Sequence, residues 1–479
     1  MSTPRATADT AGRVAEHLKR LPGPWDVFGE RVESFEIHFG GTGVELVRGP
    51  ILVEGYGLRV LRPFDGKTAI GFQASTDATE AGIASVVEDA EAVSRYSEFP
   101  AKDVSLPAGT DQEAPSPGIA DPGLWNDASG ALGRYSEALF AAFEGLKGVG
   151  ISFGSIKAHR TEVTLANSAG LAAAYAHTTV GFELAVKASG GPEGRPPGEY
   201  WVDVESRRLE PDRLPEQAQQ WGRYAEDARR AKPPPTGELA VVLPPSVLES
   251  ILPGAVGFKL SGRGQLRDLS PALGSEVGAG ALQLSDDGTL PWAISSSPFD
   301  DEGTPQRRRP LISGGRTEGL LYDALYGKAL GHASTGSGIR RGEFGPEGPR
   351  RFSRSPGPIT TTLTMRPGGG GSDAELIEAA GDGIWVQQLG WASPDSLTSA
   401  YGGEIRIGYR IRNGKLAEPI RGGTLGGLVL APPGAPSLFA SIQAVGARPE
   451  LIGRVFVPSV LARPLTVAGD EPATTKASG

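Results

Sequence analysis

Residues 404–420 read EIRIGYRIRNGKLAEPI. Segment 404–411 and segment 416–420 are strand-like, and Asn413-Gly414 lies between them. An Asn-Gly pair accepts positive φ at both central positions, which a type I′ turn requires, so the stretch reads as a β-hairpin. The surrounding region has the same texture. Residues 237–479 are short apolar runs punctuated by glycine, which predicts antiparallel strands with few helices. Stretches 342–359 and 368–371, rich in Gly, Pro and Arg, read as mobile loops in that region.

Pro233-Pro234-Pro235 marks the boundary on the N-terminal side. Upstream, apolar residues at helical period predict helices over 7–21, 77–97, 131–146 and 215–231. Strands are expected at Phe35, Ile37 and Phe39, and over 56–62, 68–74, 150–157, 162–166 and 172–187; 188–198 reads as a loop. The prediction is an α+β protein, with a mixed α/β domain over residues 1–232 and a β-rich domain over 237–479.

The chain has 479 residues, with 47 Lys+Arg against 56 Asp+Glu, a net charge of −9. That balance disfavours a global electrostatic nucleic-acid or anionic-membrane binder. Glycine and proline make up 109 of 479 residues, short of the roughly 25–30% that signals disorder. There is no cysteine, which excludes disulfides, thiol catalysis and cysteine-ligated zinc. Residues 1–25 lack the apolar core of a secretory signal and no uncharged run is long enough to span a bilayer, so a cytoplasmic protein is expected.

Most catalytic spellings in the chain have a structural explanation. Gly150-Ile151-Ser152-Phe153-Gly154 matches G-x-S-x-G, but the elbow needs a helix after the serine and Ser155–Thr164 reads as strand. Gly66-Lys67-Thr68 ends like a phosphate-binding loop, but Leu61 stands where the first glycine is needed. His17, His38, His159, His177 and His332 are scattered, with no two at ligand spacing. Arg340, Arg341, Arg350, Arg351 and Arg354 read as a solvated basic loop. Asp286-Asp287-Gly288 and Asp300-Asp301-Glu302-Gly303 suit turns; Asp300, Asp301 and Glu302 are kept as candidates for a functional surface. An enzyme of unfamiliar chemistry would have to use such carboxylates.

Several segments, in order and spacing, resemble the TldD/PmbA family, also called modulators of DNA gyrase. In the first half they are Glu54-Gly55-Tyr56-Gly57-Leu58-Arg59-Val60, Gly71-Phe72 and Asn167-Ser168-Ala169-Gly170. In the second they are Asp286-Asp287-Gly288-Thr289, Pro298-Phe299-Asp300-Asp301-Glu302-Gly303, Ser334-Thr335-Gly336, Ile411-Arg412-Asn413-Gly414-Lys415 with Pro419-Ile420, and Leu465-Thr466-Val467-Ala468-Gly469.

The resemblance implies a C-terminal domain built as a strongly curved antiparallel sheet or partial barrel. It also implies one of two subunit types: a zinc-bearing peptidase subunit with H-E-x-x-x-H on a helix and a cysteine ligand, or a metal-free relative, TldE or PmbA. In register with that motif, Pro253 and Phe258 stand in place of the histidines and Gly254 in place of the glutamate. None can bind zinc or take a proton from zinc-bound water. Proline and glycine also cost a helix interior about 3 and 1 kcal/mol, so the helix is expected to be short or to start after them. Thr398-Ser399-Ala400-Tyr401-Gly402-Gly403 departs from the family's T-G-D-F-S.

By resemblance, then, the chain carries no metal or cofactor, and zinc resides in a TldD-like partner. The heterodimer would enclose a chamber that binds and cleaves extended, unfolded peptides or modified-peptide precursors, gripping their backbone as an added strand. The alternative is a stand-alone peptide-binding scaffold derived from the same fold.

Overall fold

In the computed structural model, which describes residues 6–41, 43–108, 118–189, 197–340 and 351–469, the N-terminal half is built on one seven-stranded antiparallel sheet. Its strands are β1 (Trp25–Gly40), β2 (Gly43–Phe64), β3 (Lys67–Ser75), β4 (Glu98–Phe99), β5 (Val149–Asn167), β6 (Ala172–Ala188) and β7 (Gly198–Ser206), in spatial order β4-β3-β2-β1-β5-β6-β7. The two segments expected over 150–157 and 162–166 are one strand, β5, paired with β1 from Asp26↔Asn167 to Gly40↔Phe153. Ser152 lies within that strand, with no elbow or helix after it. Gly66-Lys67 belongs to the β2–β3 hairpin, where Asp65 and Gly66 both have positive φ.

Helices cover one face of the sheet. They are α1 (Ala6–Leu18), α2 (Glu80–Ser94), α3 (Pro122–Asn126), α4 (Ala128–Phe143) and α5 (Leu214–Ala228). Val14 and Leu18 pack with Val27, Leu58, Val60, Ile83 and Val87 in one cluster, while Leu132, Leu139, Ala218 and Trp221 pack with Ile37, Phe39, Ile156 and Leu184 in another. Alternation along a strand decides the rest. If Trp25 and Val27 face helices, Asp26, Phe28 and Glu30 must face the other way, and there the second half of the chain is seated.

The C-terminal half contains a closed five-stranded barrel. Its strands Gly383–Gly390, Gly237–Leu243, Val460–Ala468, Thr424–Leu428 and Ala400–Arg412 pair in that order, and the last returns to the first. One pairing, Gly383–Gly390 with Gly237–Leu243, is parallel. The hairpin at 404–420 forms as expected: Arg412 pairs with Lys415, and Asn413 and Gly414 have φ of 48° and 72°. A separate six-stranded sheet belongs to the same half.

Helix α6 (Pro245–Gly257) overturns one expectation, because it runs through Pro253 and Gly254 instead of starting after them. Packing outweighs propensity here. Val247, Leu248, Ile251, Leu252, Ala255 and Val256 are all at most 1% exposed and join Val241, Leu243, Ile384 and Val386 in one core. Fully burying such side chains contributes about 1.5–3 kcal/mol each, more in total than the roughly 3 kcal/mol penalty of one internal proline.

The loop readings divide. Positions 190–196 and 341–350 lie outside the described residues. Residues 368–371 are tied down, since Gly368 and Gly370 donate to the carbonyls of Gly446 and Val445, and a Ser372–Glu375 capping box follows.

Candidate functional site

The positions in register with the metal motif lie on and just beyond α6, and none offers a donor. Pro253 is buried. A Cβ on Gly254 would lie 2.4 Å from Cγ of Pro394, inside contact distance, so the position closes on a neighbouring loop. Phe258 is 7% exposed, with the Arg267 guanidinium 5.5 Å from its ring centre. From the departing segment, Ser399 donates its hydroxyl to the Ala255 carbonyl at 2.8 Å. Among the described residues, no group of three or more His, Asp or Glu could hold a metal ion. Zinc does not fit this set of side chains.

The acidic candidates meet a different environment from the one expected. Asp300, Asp301 and Glu302 are 0%, 2% and 2% exposed, so they form no surface. Asp300 does shape a turn, as Asp-Gly segments do: its Oδ1 accepts from the main chain of Glu302 and Thr304, with Gly303 at φ 94°. The other oxygens reach further. Asp300 Oδ2 accepts from the Gly338 N–H, and Asp301 accepts from the Arg340 N–H and from Arg351 Nη2 at 2.6 Å. Glu302 Oε1 accepts from Arg59 Nη2 at 2.7 Å and its Oε2 from the Ala324 N–H.

Two of the arginines read as a solvated loop are held inside this cluster. Arg340 is 0% exposed, donating to Asp26 Oδ1 at 3.0 Å and to the Arg354 carbonyl. Arg351 binds Asp301, and its main-chain N–H donates to Glu30. Arg354 is exposed, while Arg341 and Arg350 lie outside the described residues.

The pattern is a reciprocal clamp between the two halves. Asp26 on β1 binds Arg59 within its own sheet and Arg340 across the boundary, while Glu302 crosses back to Arg59. Close approach of the backbones is part of it: a Cβ on Gly55 would stand 2.4 Å from the Phe352 ring, and one on Gly57 would stand 2.1 Å from the Phe352 carbonyl oxygen.

Burial sets the charge states. It opposes the Arg59 cation, but Asp26 and Glu302 overcome that and hold its pKa above the ordinary value. Glu30 is pushed up to about 7 by burial, against the pull of Arg351. Burial and the Glu302 charge lift Asp323 to about 8 and hold Asp300 well above its usual range. On the neighbouring strand, burial raises Asp286 to about 6 although Arg309 stands 3.0 Å away.

Asp26, Arg59, Glu30 and Asp323 escaped sequence reasoning. The signal available was Arg59 within the apolar run Tyr56–Leu61 and Asp26 between Trp25 and Val27. A charge in such a run needs a buried partner.

Comparison with known proteins agrees with this architecture. Residues 128–231 match the PmbA/TldA metallopeptidase central domain and residues 236–469 its C-terminal domain. The chain belongs to this family, TldD/PmbA. A metalloprotease TldD homologue of Haemophilus influenzae is 28% identical over 194 residues, 40% of this chain and 38% of that protein. A metalloprotease of Methanocaldococcus jannaschii is 25% identical over 204 residues, 42% of this chain and 43% of its own length. The matched part spans about two fifths of these relatives' length.

Solved structures share the whole fold. A protein described as a modulator of a DNA gyrase from Thermotoga maritima superposes with TM-score 0.79 at 19% identity, covering 96% of this chain and 99% of its own. TldE from Thermococcus kodakarensis gives 0.73 at 18%, with the same coverages.

Proposed function

We propose that this protein is the metal-free, TldE/PmbA-like subunit of a TldD/TldE-type zinc metallopeptidase. In this reading it acts in the cytoplasm, completes a heterodimer's chamber, and positions extended peptide for the zinc of a TldD-like partner. The observation that carries the proposal is α6 and the residue after it, where the side chains of Pro253, Gly254 and Phe258 offer no metal donor and Gly254 is closed by Pro394. A metallopeptidase fold without a ligand set can bind and orient a peptide, but it must take its Lewis acid from another chain. Among the described residues no helix is long and apolar enough to cross a membrane.

The test is reconstitution. The purified chain, washed with chelator, is assayed for zinc and for cleavage of an unfolded peptide, alone and mixed with a TldD homologue carrying the intact histidine motif. Cleavage only in the mixture, with zinc tracking the homologue, is the expected result. Stoichiometric zinc in the isolated chain would overturn the proposal. Failure to associate with the homologue, with peptide binding retained, would favour the stand-alone scaffold.

A further inference from the structure

A cavity of about 250 Å³ lies in the C-terminal half at the start of the helix Asp373–Ala380, lined by Ser372, Asp373, Ala374, Arg448, Glu450 and Ser459 among others. None of its lining residues belongs to α6 or to the clamp between the two halves.

The main chain supplies donors there. A helix leaves its first N–H groups without intrahelical acceptors. The capping box serves the Glu375 N–H through the Ser372 hydroxyl, and the Leu376 N–H donates to the Ser372 carbonyl. The N–H groups of Asp373 and Ala374 have no acceptor among the described residues, and the partial positive charge of the helix end stands with them.

A buried side chain adds an independent group. Ser459 is 3% exposed and lines the cavity, and its carbonyl is held by the Gly446 N–H at 2.9 Å. Its hydroxyl has no hydrogen-bond partner among the described residues, although a buried hydroxyl ordinarily has one. It is left for an occupant.

Charge of both signs surrounds these groups. Asp373, Arg448 and Glu450 are exposed, and their side chains form no ion pair or hydrogen bond with one another or with any other described residue. The three stay apart around one cavity instead of neutralising each other. A lone anion would be attracted by Arg448 and the helix end but repelled by Asp373 and Glu450, and a lone cation would meet the reverse.

We propose that this cavity binds a small zwitterion, a free amino acid or a dipeptide. The ligand's carboxylate takes the N–H groups of Asp373 and Ala374, the Ser459 hydroxyl and Arg448, as anions do at helix N-termini. Its ammonium lies toward the carboxylates of Asp373 and Glu450.

The full-length chain is titrated by calorimetry with leucine and with glycylleucine, each also as its N-acetyl and its amide derivative, and with inorganic phosphate. Saturable binding of leucine or glycylleucine is expected, the tighter of the two naming the source of the zwitterion. Blocking either end should weaken binding at least about tenfold, as loss of hydrogen bonds to a charged group does. Ser459→Ala should weaken the zwitterion about tenfold for the same reason, with melting temperature as the folding control. Glu450→Gln, at an exposed position, should weaken the zwitterion while leaving the N-acetyl derivative's affinity unchanged. Equal affinities for the zwitterion and its N-acetyl derivative, or phosphate binding as tightly as the zwitterion, would overturn the proposal. So would wild-type affinity in both variants, or no saturable binding of either zwitterion.

Discussion

Arg59 on β2 donates from Nη2 to Oε1 of Glu302 at 2.7 Å, joining two side chains that are 0% exposed and 243 residues apart in sequence. With Asp26 and Arg340 it makes each half of the chain supply one acid and one base to the other. A buried pair is no guarantee of net stability, because desolvating both charges offsets much of their attraction. Its consequence is mutual dependence: each half supplies the counter-ions for charges buried on the other.

Removing one partner should therefore be far more damaging than removing both. Arg59→Ala or Glu302→Leu leaves a buried charge uncompensated and should lower unfolding free energy by about 3–5 kcal/mol. The double variant Arg59→Met/Glu302→Leu should recover much of the loss. Urea denaturation of the three variants checks this. Single substitutions costing under about 1 kcal/mol, as exposed pairs do, would show that the clamp is not closed.

Acid groups whose pKa rises on folding make stability depend on pH with a definite sign. Glu30, Asp286 and Asp323, at about 7, 6 and 8, bind protons more tightly folded than unfolded. Their contribution is complete below the unfolded carboxylate range and is lost as pH climbs through those values. Melting temperature at constant ionic strength should fall from pH 5 to pH 8, and Glu30→Gln should flatten the slope. A melting temperature that rises over that range contradicts the assignment.

How far the sequence could reveal this depends on the range of each signal. Local ones were readable: Asn413-Gly414 specified its turn, and the period of Ile83, Val87 and Ala90 specified α2. Two limits are visible. Pro253 argued locally against a helix that α6 nonetheless forms, because its stability comes from packing against Val241 and Leu243 on the preceding strand and against Ile384, far away in the chain. Asp300, Asp301 and Glu302 looked like surface because acidic Gly-rich segments usually are. Their burial depends on Arg59, Arg340 and Arg351, which no local pattern links to them. The candidate site was named from the family resemblance, at Pro253, Gly254 and Phe258, whose side chains carry no metal donor. It was hidden where partners meet only through the fold, as at Asp26 and Arg340.

The hairpin turn gives a sharp local test. Gly414 sits at φ 72°, and a Cβ there would lie 3.1 Å from Cα of Glu378. Gly414→Ala should cost about 1–2 kcal/mol from the left-handed conformation, with the close approach adding to it. Ala at Gly402, a non-helical glycine with open space around it, is the control. Equal melting temperatures for the two variants would show that the turn does not need glycine.

The last prediction concerns whether the lost metal motif could be rebuilt. Writing Pro253→His, Gly254→Glu and Phe258→His restores the donors in name, but side chains need room as well as chemistry. At Gly254 the nearest obstacle is Pro394 at 2.4 Å from a Cβ, and Phe258 is already buried under Arg267. Gly254→Ala alone should destabilise by about 1–3 kcal/mol, the usual cost of overpacking, despite the helix propensity it gains. The triple variant should unfold at markedly lower temperature and hold no stoichiometric zinc after dialysis, since the chain has no cysteine to complete the set. Elemental analysis with thermal denaturation decides it. A stable triple variant binding one zinc would mean that α6 is a dormant metal site, still shaped for its ion, and not a helix repacked for another purpose.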